Sequence, residues 1–466
     1  MLFRSTRGQD CHKTFEEILL AGLASDGGLF IPEKWPQVDL KAIKKCKSFV
    51  EIAHHIVPLF TDSSYTQEEV KEIVESTWHD FKSKNLIEIH NFDNNVFVAE
   101  LFHGPTAAFK DFGLQLCAAF FNTALKKKKK TAIVLGATSG DTGSAAIDAC
   151  KHYDSIKTFI LLPKGNMTEI QRRQMTTVDQ SNVCVIDIDG TFDDCQDIVK
   201  YAFQSKQFLR PNQELLAVNS INWVRIIGQI CYYFFIAMKI NQFSKPLNFS
   251  IPTGNFGNVF ACYSAYKMGL PINKILISVN KNDILHKFFD KNDYSKTSVH
   301  ETLSPSMDIT VASNFERLIF DFFLNSNPIK CKELFDNFPN SSISFSHNAW
   351  QNAKQLFHSV SISDDRTISI ISKIYKDFDY LVDPHTAVGM AATSLFTDVN
   401  LGTTVVLATA HPGKFPDTMK LSGISNIPTH HKLSGLLEKK EKSVSLEANK
   451  DKVLRFIADN LSLIHI

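Results

Sequence analysis

The sequence predicts an α/β protein: two parallel-sheet α/β domains with a mainly helical N-terminal segment packed on them. Three observations predict this. From residue 94 onward, short β-rich runs alternate with helical patterns, at 96–102, 131–137, 157–163, 183–189, 247–252, 274–280 and 403–410. Such alternation implies parallel strands covered by helices. The chain has 466 residues, enough for two or three domains, and enzymes of this size commonly work in a cleft between domains. Apolar residues make up 44% and charged residues 21%, the balance of a chain that buries a core.

Taken in order, residues 1–93 read as helices around the turn Asp26-Gly27-Gly28 and form the N-terminal segment. Residues 94–214 form a smaller α/β domain. Its helical pattern at 107–125 closes on five lysines at 126–130, where cations face water at the negative end of the helix dipole. The polar stretch 206–214 separates this unit from a larger α/β domain at 215–420, which contains a Ser- and Asn-rich region at 290–364. Residues 421–466 are a charged tail without a readable motif. The 37 phenylalanines are expected in an aromatic-rich core.

Composition excludes several function classes. Lys plus Arg number 50 against 49 Asp plus Glu, so the net charge of +1 speaks against a strongly basic nucleic-acid binder. Nine cysteines with no Cys-x-x-Cys pair fit reduced, mostly buried thiols better than disulfides or a zinc site, and no metal is expected. The N-terminus lacks the apolar core of a secretory signal. The apolar stretch 230–238 is far short of the roughly 20 residues a spanning helix needs. A cytoplasmic protein acting on a small molecule is expected, with no nucleic-acid or membrane partner and compatible with a monomer.

Five segments carry chemistry. In His103-Gly104-Pro105-Thr106-Ala107-Ala108-Phe109-Lys110-Asp111, Gly and Pro end a strand, Thr106 is placed to cap the next helix, and Lys110 falls in its first turn among apolar neighbours. There its ammonium is disfavoured, which suits an amine nucleophile. On this segment alone, an exposed lysine paired with Asp111 is the plainer reading. Gly136-Ala137-Thr138-Ser139-Gly140-Asp141-Thr142-Gly143 follows a strand and opens a helix, as an anion or carboxylate cradle does. Pro252-Thr253-Gly254-Asn255-Phe256-Gly257-Asn258 does the same but lacks the Lys-Ser/Thr of a P-loop. A desolvated lysine with a phosphate-cradling loop is the combination pyridoxal phosphate requires.

The fourth segment, Asn219-Ser220-Ile221-Asn222-Trp223-Val224-Arg225, offers a fork for a second phosphate, and equally a helix capped by Asn219 or Ser220 with Arg225 in a surface ion pair. The fifth, Ala408-Thr409-Ala410-His411-Pro412-Gly413-Lys414-Phe415, supplies a hydroxyl at a strand edge. For His411 and Lys414, turn hydrogen bonds or surface charge are the expected roles.

With these segments in this order the chain resembles threonine synthases of the enterobacterial and fungal branch. Ser5-Thr6-Arg7-Gly8, the run from Asp26 to Pro32, Ser304-Pro305-Ser306-Met307-Asp308 and Asp383-Pro384-His385-Thr386-Ala387 extend the match over most of residues 2–420. The resemblance implies a pyridoxal 5'-phosphate enzyme of the tryptophan-synthase-β fold type, fold type II, with the cofactor in the cleft between its two α/β domains. Lys110 matches the lysine that forms the Schiff base. Gly254, Asn255, Phe256, Gly257 and Asn258 match the cofactor-phosphate loop, and Thr409 the residue facing the pyridine nitrogen. Ser139 and Thr142 match positions for the substrate carboxylate, and Asn219, Ser220 and Arg225 those for the substrate phosphate.

Asp141 departs from the Asn that the wider fold type places at the cofactor's 3-oxygen. Two anions at contact repel, so either Asp141 shares a proton with that oxygen or its carboxylate turns away. The implied reaction turns O-phospho-L-homoserine and water into L-threonine and phosphate. A related phospho-lyase, giving 2-oxobutyrate, ammonia and phosphate, is the nearest alternative; a non-catalytic binding protein on the same scaffold is the other.

Overall fold

Backbone pairing divides the strands into three sheets in a computed structural model that describes every residue except 82–85, 93–94, 139, 166, 397–401, 429 and 462–466. In chain order the strands are β1 (Phe3–Ser5), β2 (Phe30–Pro32), β3 (Glu88–Asn91), β4 (Val96–Glu100), β5 (Thr131–Ala137), β6 (Ile156–Pro163), β7 (Val183–Asp189) and β8 (Gln213–Leu216). They continue as β9 (Leu247–Pro252), β10 (Ile272–Val279), β11 (Phe357–Ser361), β12 (Thr404–Ala408) and β13 (Val444–Glu447). One sheet has the order β11-β10-β9-β12-β4-β3, the second β13-β7-β6-β5-β8, and β1 and β2 form a small hairpin sheet. Both large sheets are parallel throughout except for β3, which runs antiparallel to β4. Central strands such as β6 and β9 are buried at every position, the pattern of parallel strands covered on both faces.

Sheet membership departs from the sequence reading at two places. β4, expected with the smaller domain, pairs with β12 from Val96↔Thr404 to Glu100↔Ala408 and so lies in the six-stranded sheet. The tail contributes β13, which extends the five-stranded sheet beside β7, and the helix Lys450–Asn460. The reason is physical: a strand's local pattern says that it will pair but not with which distant strand. β3, β8, β11 and β13 lie in stretches whose patterns do not announce strands, and three of them are sheet edges only four residues long.

The N-terminal segment is mainly helical, with helices Phe15–Ala21, Leu40–Ile43, Phe49–Ile56 and Gln67–Thr77. It is fastened at its two motifs. Arg7 donates from Nε and Nη2 to the Glu316 carboxylate at 3.0 and 2.8 Å, and Thr6 Oγ1 adds a bond of 2.6 Å. Buried Arg317 donates to the carbonyls of Phe30 at 2.8 Å and Ile221 at 2.6 Å, joining this segment to the loop before the helix Trp223–Asn241. Aromatic contacts of Phe49 with Trp78, Phe112 and Phe235 fill the space between.

The helix Trp223–Asn241 has 19 residues and is long and apolar enough by composition to cross a membrane, yet 89% of its most apolar window is buried inside the protein. Every residue from Trp223 to Met238 is buried, so its hydrophobicity is explained by its place at the centre of the core. It crosses the helix Lys110–Lys128 at two glycines. A Cβ on Gly113 would stand 2.7 Å from the Arg225 carbonyl oxygen, and one on Gly228 would stand 2.6 Å from that of Phe112. The backbones therefore touch, and this contact sets the spacing between the helices that carry Lys110 and Arg225.

Gly228→Ala should lower stability by about 1–3 kcal/mol, because the obstructing atoms are backbone and the helices must part to admit a methyl group. Urea denaturation checks it, and an unchanged midpoint would contradict so close a crossing.

Candidate active site

The loop between β4 and the helix Lys110–Lys128 is pinned to the loop after β12. Leu101 N–H donates to the Ala408 carbonyl and Phe109 N–H to that of Thr409, both at 2.9 Å, while His411 N–H donates to Ala107 at 3.1 Å. Ala107 takes a left-handed φ of 56°, a conformation that a non-glycine residue adopts only where surrounding structure holds it, and such positions gather at functional sites. Thr106 does not cap the helix as the sequence suggests. Its N–H and Oγ1 donate instead to the buried Asp111 carboxylate at 2.9 and 2.6 Å, because an acceptor in the first turn draws the loop back onto itself.

Charge in this cleft is concentrated and dry. The Lys110 side chain is 13% exposed, with Nζ 4.0 Å from Asp141 Oδ2. Burial pushes its pKa down to about 8; Asp141 opposes that shift, while Arg225 and Lys414 reinforce it. Its plainer reading, an exposed lysine paired with Asp111, is thereby overturned. Asp141 opens the helix Asp141–Cys150. Its Oδ1 lies 2.6 Å from Lys414 Nζ and accepts from Gln171 Nε2 at 2.9 Å, and its Oδ2 accepts from Ser306 Oγ at 3.3 Å. Burial alone would raise this carboxyl, but the Lys414 and Lys110 ammonium groups and the bonds from Lys414 and Gln171 hold it well below the usual range.

Lys414 is therefore not a surface charge. It is fully buried and also donates to the Thr106 carbonyl at 2.9 Å. His411 does keep to its turn, where Nδ1 accepts from Gly413 N–H at 3.0 Å, and burial lowers its pKa to about 4. Asp111, also buried, is raised to about 7 by burial and the charge of Asp148.

Two glycine loops meet these groups. The helices Lys110–Lys128 and Gly257–Lys267 start without a side-chain cap, and at Asp141–Cys150 Thr138 Oγ1 takes the N–H groups of Gly140 and Gly143 at 3.1 Å, whereas Glu169–Thr176 and Phe192–Ser205 start with capping boxes. Uncapped first turns leave N–H groups for an anion. In the second loop Phe256 is left-handed at φ 63°, and a Cβ on Gly254 would stand 2.9 Å from the Ser306 carbonyl oxygen. The Asn255 carbonyl accepts from Asn314. Asn258 is buried, its Oδ1 accepting from the hydroxyls of Tyr232 and Tyr233, which leaves Nδ2 without a partner.

Arg225 is 4% exposed and has no carboxylate partner among the described residues, against the expectation of a surface ion pair. Nη1 donates to the Val218 carbonyl at 2.9 Å, Nε is unpartnered, and burial lowers its pKa to about 10. The cap of its helix is Asn222, whose side chain accepts from Val224 N–H, in place of Asn219 or Ser220. Asn219 is exposed; Ser220 is partly buried, with its carbonyl bonded to Asn314. Thr142 lies in the first turn after Asp141, and Ser139 falls outside the described residues.

Thr409, 5% exposed, is held by a chain of buried bonds that the sequence did not reveal. Asp383 accepts from the His385 N–H at 2.9 Å, lies 2.7 Å from His385 Nδ1 and accepts from Thr386 Oγ1. Thr386 Oγ1 in turn accepts from Thr409 N–H at 3.3 Å, and His385 Nε2 accepts from Ser306 N–H at 3.2 Å. Gln171, Ser306, Asp383, His385 and Lys414 thus join the site. The position of Lys414, five residues past Thr409 and next to Phe415, was the available signal.

Comparison with known proteins gives consistent matches. Residues 2–78 match the family described as threonine synthase N terminus, 81–329 the pyridoxal-phosphate dependent enzymes and 386–457 threonine synthase, C-terminal. The threonine synthase of Pseudomonas aeruginosa is 42% identical over 99% of this chain and 98% of its own. Pyridoxal-phosphate-bound threonine synthase from Brucella melitensis superposes with a TM-score of 0.93 at 37% identity, covering 98% of this chain and 99% of that one. Threonine synthase from yeast gives 0.91 at 37%, covering 99% of both.

In cofactor-free protein, trace acylation followed by peptide analysis should show Lys110 reacting with a midpoint near pH 8, since only the unprotonated amine attacks. Reactivity rises as pH rises through that value; a midpoint near that of surface lysines, about 10.4, would refute the depression.

Proposed function

The chain belongs to the threonine synthase family, and we propose that it converts O-phospho-L-homoserine and water to L-threonine and phosphate with pyridoxal 5'-phosphate as cofactor. One observation carries this reading. Lys414 and Arg225, both buried, and Lys110, whose side chain is 13% exposed, gather in the cleft, where Asp141 is held ionised by Lys414 and Lys110, so the cleft has excess positive charge that water screens little. Two phosphate-bearing ligands would answer that excess.

The residues fit the cofactor. Lys110 supplies an amine near neutrality for its covalent attachment, and the uncapped turn from Gly254 through Asn255, Phe256, Gly257 and Asn258 supplies N–H groups for its phosphate. Thr409 would face the pyridine nitrogen and Asp141 the side of the 3-oxygen. Ser139 and Thr142 would take the substrate carboxylate; Arg225, with its free Nε, would take the substrate phosphate beside Asn219 and Ser220.

When bound, the cofactor stabilises negative charge at Cα. Lys110 then moves protons: it removes one at Cα and one at Cβ, and phosphate leaves from Cγ. A proton is delivered to Cγ, water adds at Cβ and Cα is reprotonated. Arg225 keeps the departing phosphate close, where it can serve as base toward that water. A cytoplasmic location belongs to the same reading and is supported by nine free cysteines, seven of them buried.

Incubation with O-phosphohomoserine should release phosphate matched mole for mole by threonine; phosphate matched by 2-oxobutyrate would replace this reading with the phospho-lyase. Arg225→Ala should retain the cofactor absorbance while losing kcat/KM equivalent to about 2–5 kcal/mol, the range for truncating a buried charge pair. Loss of cofactor instead would mean that the two phosphate sites are exchanged.

A further inference from the structure

The cleft holds two buried lysines, and the reaction described above uses one. Lys414 comes from the segment after β12 in the six-stranded sheet, and Asp141 from the loop after β5 in the five-stranded sheet. Their contact at 2.6 Å therefore joins the two sheets across the cleft. The Asp141 carboxylate is unevenly engaged. Oδ1 takes both Lys414 and Gln171, while Oδ2 has Ser306 Oγ at 3.3 Å and Lys110 Nζ only at 4.0 Å, beyond hydrogen-bond distance. Lys414 is itself fixed from behind by the Thr106 carbonyl, four residues before Lys110.

We propose that Lys414 is a positioning residue for the reaction: it takes the closer share of neutralising Asp141 and turns the carboxylate aside, leaving the Lys110 nitrogen at 4.0 Å with no hydrogen bond to it. The inference rests on the assignment of Lys110 as the cofactor lysine. A buried carboxylate must find a cation or a proton. If Lys414 were absent, the next cation in reach would be Lys110, which would close the 4.0 Å gap and hold its proton, and a protonated amine is neither nucleophile nor base. The groups facing Lys110 are Asp141, Arg225 and Lys414; those facing Asp141 are Lys110, Lys414, Gln171 and Ser306, with Asp111 and His411 farther out around Lys414. The same arrangement explains how Asp stands where the wider fold type has a neutral Asn, since the carboxylate's charge is balanced from the side away from Lys110.

The test is a pH titration of the holoenzyme's visible absorbance, which reports protonation of the nitrogen that Lys110 shares with the cofactor. Lys414→Met should raise the midpoint by about 1 unit or more, the scale of an uncompensated opposite charge within about 4–6 Å. Asp141→Asn should lower it, because the cations then lack their anion. The double variant should return close to the wild-type midpoint, and Lys414→Arg should keep it. Single variants that shift in the same direction, or a Lys414→Met protein with an altered melting temperature and an unmoved midpoint, would overturn the proposal. If Lys414→Met does not fold, Asp141→Asn decides alone: a lowered midpoint supports it, and an unchanged or raised one overturns it. Borohydride reduction and peptide mapping of the same preparations keep the two readings apart. Label on Lys414 would sink the Lys110 assignment, whereas label on Lys110 with an unmoved midpoint sinks only the role given to Lys414.

Discussion

The site depends on one constraint: charged groups removed from water must be balanced locally. Lys110, Lys414 and Arg225 are brought into one desolvated region with Asp141 held ionised among them. Burial lowers the Lys110 pKa to about 8, with Arg225 and Lys414 reinforcing the shift and Asp141 opposing it. Asp111, raised to about 7 by burial and the charge of Asp148, adds only part of a negative charge near neutrality. The imbalance makes the cleft a good environment for anions.

The fold delivers these groups because both parallel sheets present their loops at strand C-terminal ends, where open α/β proteins bind ligands. Asp141 follows β5, the glycine loop at 254–258 follows β9, and Thr409 and Lys414 follow β12. Lys110 is fixed from two directions. The bridge between Ala108 and Ala410 ties its loop to β12, and the Gly113–Gly228 crossing ties its helix to that of Arg225. Asp383 adds a third restraint through Thr386 to Thr409 and through His385 to Ser306.

Much of this was legible in the sequence, for reasons that separate local from distant physics. Alternating strand and helix patterns, glycine loops after strands and a lysine among apolar residues are local signals, and they led to β5, β9, β12, Lys110 and Asp141. Sheet membership was not legible: β4 crosses to the six-stranded sheet, and β13 arises from a charged tail, because pairing partners lie hundreds of residues away. Lys414 was misread for the same reason. The place of Lys414 beside Thr409 and Phe415 hints at burial, but no local pattern identifies the carboxylate some 270 residues earlier that faces it. The capping roles imagined for Thr106 and Asn219 failed more simply, since Asp111 and Asn222 offered better-placed acceptors nearby.

The choice of aspartate at position 141 then follows from what surrounds it. A neutral amide there would leave Lys414 buried without a counter-charge, and an aspartate without Lys414 would draw Lys110 from 4.0 Å into a closer, hydrogen-bonded ion pair. Each residue is tolerable only with the other, since breaking a buried pair from one side exposes the full desolvation penalty of the side that remains. The pair also spans elements of both large sheets, so separating them would part the charges while they are still dry. Charge balance and cleft geometry are therefore not independent features: the contact that balances Asp141 from the side away from Lys110 is also one that joins the two halves of its site.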